Sequence, residues 1–136
     1  MSSRRRPASV TWLSLGLLAL GLVYMIRMVG GWTAPDLPLT VPHWYPPLTG
    51  AIWGIGWCVG AAACFTGRRW ARRLITVMGV AFLAWYWFDR LVFVRSEYAL
   101  RTMPFSLGLT ALGAAVVIAI LRQPAVRRFF GESDHG

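Results

Sequence analysis

Four stretches of this 136-residue chain carry no charged side chain: residues 7–26, 37–67, 74–88 and 102–121. A helix needs about 20 apolar residues to cross a hydrocarbon core of roughly 30 Å. The first and last stretches meet that length as they stand. The second is too long for one span, and its opening, LPLTVPHWYPP after Asp36, is rich in helix-breaking proline, so its helix is expected from about residue 47. The third gives only about 22 Å of helix at 1.5 Å per residue, and must run on through Asp89 and Arg90 to cross. The expectation is an all-α, polytopic membrane protein: one four-span domain over 1–136, a four-helix transmembrane bundle with helices near 9–30, 47–66, 74–94 and 104–122.

Composition agrees. Apolar residues make up 57%, charged residues 14% and mean hydropathy is +0.53, whereas soluble domains carry about 25% charged residues. These values exclude a soluble globular enzyme, a disordered chain and a disulfide scaffold. The net charge of +9 raises nucleic acid or anionic lipid as partners. All 14 basic residues are Arg, and Lys and Asn are both absent, which points to a GC-rich genome rather than to selection for guanidinium chemistry.

The placement of the arginines decides for lipid. Arg4, Arg5 and Arg6 precede the first span, Arg68, Arg69, Arg72 and Arg73 separate the second and third, and Arg122, Arg127 and Arg128 follow the fourth. The alternate loops hold only Arg95 and Arg101. The positive-inside rule then puts both termini in the cytoplasm, in a cell inner (plasma) membrane with anionic headgroups as neighbours. A basic turn as short as RRWARR offers no face for nucleic acid, so none is expected as partner. The apolar run after Arg6 is longer than a signal-peptide core and no clean cleavage site follows it, so it reads as an uncleaved anchor.

Helix two repeats glycine four apart, as Gly50 with Gly54 and Gly56 with Gly60, which lets a neighbouring backbone come close. Gly50, Gly54, Trp57, Ala61 and Cys64 share one face; Leu48, Ile52, Ile55 and Val59 lie opposite and are assigned to lipid. Helix four, with Gly108 and Gly113, is the expected close neighbour. Trp32, Trp44, Tyr45, Trp85 and Tyr86 are expected as interfacial aromatics at headgroup level. A groove for pigment, quinone or lipid along the aromatic face of helix three is the alternative. The tail from Pro124 to Gly131 suggests a short interfacial helix.

Charges inside spans are costly and usually functional or paired. Asp89 lies about 22 Å along its helix from Leu74, and Arg27 about 25 Å along helix one from Val10. Equal depth makes Asp89 and Arg27 a candidate intramembrane ion pair, with Arg90 turned towards Glu97 or the headgroups. Cys58 and Cys64 are six positions apart, about 240° around the helix, and cannot share a bond or a metal. With no CxxC, no paired acids and no histidine inside a span, no catalytic residue, metal or cofactor is expected. The leading expectation is a non-catalytic accessory or scaffolding subunit, or a homo-oligomer held by Gly-rich packing. The alternative is a small oligomeric transporter or channel with Asp89, Arg27 and Arg90 near its outer mouth.

Overall fold

The computed structural model describes residues 6–33, 42–92 and 100–131. These are helical throughout: α1 Ala8–Thr33, α2 Tyr45–Phe65, α3 Ala71–Val92, α4 Met103–Arg122 and the short α5 Pro124–Phe129, with no strand among the described residues. The first four are long and apolar enough to cross a membrane. Glu97 lies outside the described residues.

Helix α2 starts two residues earlier than the prolines suggested. Pro46 and Pro47 sit in its first turn, where the N–H that proline lacks would have no helical partner anyway. Its far end closes on Gly67 at φ +67°, with Gly67 N–H bonded to the Cys64 carbonyl at 3.1 Å and Arg68 N–H to the Ala63 carbonyl at 3.0 Å. That pair of bonds is a Schellman closure, which satisfies two otherwise orphaned carbonyls and turns the chain sharply into α3.

The tightest packing joins α1 to α2, antiparallel. Val10, Leu13, Leu17, Gly21 and Tyr24 form a stripe spaced three and four along α1, all buried. On α2, Gly50, Trp53, Gly54, Trp57, Ala61 and Cys64 are buried, while Leu48, Ile52, Ile55 and Val59 are exposed as expected for a lipid face. A Cβ on Gly50 would lie 2.8 Å from both the Tyr24 carbonyl oxygen and the Met28 nitrogen, so two backbones meet there. Gly21 of α1 answers from the other side, where a Cβ would lie 2.7 Å from Cys58 Sγ and 3.2 Å from the Gly54 carbonyl. Gly56 and Gly60 look instead towards Met78 and Ile75 of α3. The expectation that helix four is the close neighbour is corrected: Gly108 and Gly113 open onto empty space, and α1 fills that role. The reason is that α4 packs little against the other helices: Ser106 and Leu121 are its buried residues, and both glycines stay exposed.

Helix α5 forms where the tail suggested it, starting at Pro124. Val126 within it and Phe130 just after it join one core cluster with Val10, Cys64, Ala71, Ile75 and Leu121. The arginine-rich end of the protein is therefore packed.

Candidate functional site

At the opposite end α1 finishes, α2 begins, α3 finishes and α4 begins, and here the in-span charges collect. Asp89 and Arg90 lie in the last turn of α3, both half-buried. The Tyr45 hydroxyl, one residue after the N-cap of α2, donates to Asp89 Oδ1 at 2.6 Å. Trp85 Nε1 donates to the same Tyr45 oxygen at 3.1 Å. Because a phenol has one proton, and the indole occupies its acceptor side, that proton is committed to the carboxylate. A short bond from a neutral donor to a carboxylate is of the stronger, charge-assisted kind.

Arg90 turns towards α4. Its Nη2 donates to Thr102 Oγ1 at 2.7 Å, and Nη1 makes a long 3.5 Å contact with the Tyr86 hydroxyl. The two adjacent charges thus reach in two directions, Asp89 towards α2 and Arg90 to the residue that caps α4.

A direct Asp89–Arg27 ion pair is not formed among the described residues. Arg27 lies on the exposed side of α1, and the bond formed by Asp89 is the one it accepts from the Tyr45 hydroxyl.

Beneath this polar layer is a cluster of rings from three helices. Trp53 approaches Phe82 at 5.1 Å and Trp85 at 5.3 Å between centroids, Tyr24 meets Phe82 edge-on at 5.6 Å, and Trp57 meets Phe82 at 5.5 Å. Offset and edge-on pairs of this kind are each worth about 0.5–1.5 kcal/mol beyond their buried area. Trp57 Nε1 is buried within the cluster and has no hydrogen-bond partner among the described residues. Trp85, expected in an interfacial girdle, is an inward-facing member of the cluster; Tyr86 stacks on Phe82 at 6.2 Å. Tyr45, also expected at the interface, is turned inward by its bond to Asp89. Trp32 and Trp44 are 74% and 62% exposed at this end, where an interfacial ring would sit.

Several hydroxyls elsewhere in the spans are occupied locally. Ser14, Thr49, Thr76 and Thr110 each donate to a carbonyl one turn back, at 2.8–2.9 Å, so their polarity is absorbed by their own helices. Cys58 and Cys64 are free thiols, and no group of three or more His, Cys, Asp or Glu side chains gathers to hold a metal among the described residues.

Four residues of the site escaped the sequence reading: Tyr24, Trp53, Trp57 as a ring partner, and Thr102. Tyr24 had a signal, since it continues the stripe of three and four that buries α1; Thr102 had none beyond preceding a proline-started helix. Comparison of the chain with protein-family models, with curated proteins and with solved structures gave no match.

Proposed function

We propose that this chain is a non-catalytic integral membrane protein, an accessory or scaffolding subunit, with four spans in a cell inner membrane and both termini cytoplasmic. The observation that carries this reading is the use made of Asp89. Its carboxylate, the costliest group in the spans, serves as acceptor for Tyr45 and so ties α3 to α2. That is the employment of a structural group rather than of an exchangeable one.

The glycine faces refine the reading. Gly50 and Gly54 are filled by α1, and Gly56 and Gly60 face α3. A partner subunit, or a second copy, would therefore dock on the open sides of α3 and α4 and not on the Gly-rich helix. Purification from native membranes in mild detergent, with identification and stoichiometry of co-purifying chains, tests this. Stoichiometric unrelated subunits support the accessory role. A homo-oligomer that carries ion flux in liposomes would replace it with the second reading, a small transporter or channel. That alternative draws on the partial exposure of Asp89 and Arg90 beside the exposed Arg27. It lacks a charge near the middle of the spans, where transporter sites gather.

A further inference from the structure

The arginine-rich end contains a cavity that the packing of α5 creates. It has a volume of about 300 Å³ and is lined by Arg6, Phe65, Thr66, Gly67 and Phe129. Three separate parts of the chain build it: the residue before the first helix turn, the C-terminus of α2 with its Schellman turn, and the end of α5. The Arg6 guanidinium lies over the Phe65 ring, 3.6 Å from its centroid. Stacking on an aromatic face fixes the plane of the group. No hydrogen-bond partner takes its N–H donors among the described residues. Arg68, Arg69 and Arg128 are exposed nearby in sequence on the turn and on α5, whereas Asp89, the only acid among the described residues, lies at the far end.

We propose that this cavity binds the phosphate headgroup of a single anionic phospholipid, with Arg6 as its ligand. The proposal rests on the reading that α1–α4 span a bilayer. Phe65 is the last residue of a spanning helix, so the cavity lies at the level where headgroups begin. Its lining is mixed in the way a lipid requires: a planar cation suited to bidentate contact with phosphate, and two phenyl rings for the glycerol and the start of the acyl chains. Phe65 is also 47% exposed, so the cavity opens beside an apolar surface at this end of the helix. A soluble phosphate would gain nothing from those rings. The size is at the lower end of small-molecule sites, enough for a headgroup with the chains left outside.

The test uses the full chain in zwitterionic detergent and in nanodiscs, with native mass spectrometry to count retained lipid. Phosphatidylglycerol should be retained at one per chain, and phosphatidylcholine should not. Arg6→Gln should bind phosphatidylglycerol roughly five-fold more weakly, the loss of one arginine contact at an anionic headgroup. Arg101→Gln removes the same charge at the other end and should change nothing. Phe65→Leu keeps the span but removes the platform under Arg6, and should weaken binding like Arg6→Gln, so the idea stays testable if one variant folds poorly. Equal retention of the two lipids, equal loss in the Arg6 and Arg101 variants, or retention of glycerol 3-phosphate equal to that of phosphatidylglycerol would each overturn the proposal. Flotation with liposomes and resistance to alkaline extraction check the spanning assignment separately, so a chain that spans but retains no lipid refutes this site alone.

Discussion

A carboxylate near the end of a membrane helix can be accommodated by an opposite charge, by water at the interface, or by neutral donors. Asp89 shows the third arrangement, with Tyr45 donating and Trp85 fixing the direction of the Tyr45 proton. A hydrogen bond to a charged group is worth about 1.5–3 kcal/mol, so a double-mutant cycle of Tyr45→Phe and Asp89→Asn should show coupling in that range by reversible detergent unfolding. Additive effects would mean that the bond contributes nothing to the fold. Gly67 invites a second measurement. Its φ of +67° lies in the left-handed region, and a Cβ would also stand 2.9 Å from the Phe129 ring. Gly67→Ala should destabilise the protein by about 1–2 kcal/mol from the backbone alone, with the Phe129 contact adding to it, seen as a lower thermal-aggregation midpoint. Asp89 was legible in the sequence because an acid among apolar residues is conspicuous. Its partner was not, since counting rise along a helix compares depths and leaves the angle around the axis unknown. Tyr45 looked interfacial for the same reason, being aromatic and next to prolines.

At the level of the helices, the two Gly-x-x-x-Gly pairs of α2 do different jobs, and substitution should separate them. Gly50 faces backbone atoms of Tyr24 and Met28, which cannot move without shifting α1. Gly60 meets only Ile75 Cγ1, with the hypothetical Cβ at an ordinary 4.0 Å. Gly50→Ala should cost about 1–3 kcal/mol through overpacking, while Gly60→Ala should be close to neutral. Comparable losses at both positions would contradict the packing described. The existence and length of the helices and the exposed side of α2 were readable, because charge-free runs and periodic burial are local properties of the chain. Which helix fills a glycine face is not local. Gly108 and Gly113 of α4 looked equally fit for the task in sequence, and what decided against them is that the close α1–α2 pairing brings Gly21 onto Cys58 and Gly54. The start of α2 was misplaced by treating proline as a breaker at a position where a first turn accepts it.

Across the whole molecule the charge is strongly polarised. Arg6, Arg68, Arg69, Arg72, Arg73, Arg122, Arg127 and Arg128 belong to one end, while Arg27, Arg90 and Arg101 share the other with Asp89. Four spans are an even number, so a chain that threads the bilayer with all of them returns its C-terminus to the side from which it started. On the proposed orientation that side is the cytoplasm, because retention of basic loops there is the dominant orientation signal and acids count for little in it. A fluorescent protein fused after Gly136 should therefore fluoresce, and alkaline phosphatase at the same place should be inactive. The same phosphatase inserted at Leu100, between α3 and α4, should be active, because that junction would face outward. Replacing Arg68, Arg69, Arg72 and Arg73 together with Gln removes the basic turn between α2 and α3 and should give mixed orientation, since the terminal arginines alone must then set the bias. Active phosphatase at the C-terminus of the natural sequence would invert the assignment. It would also put the Arg6 cavity in the opposite leaflet, so the sidedness of any bound anionic lipid follows from this one experiment.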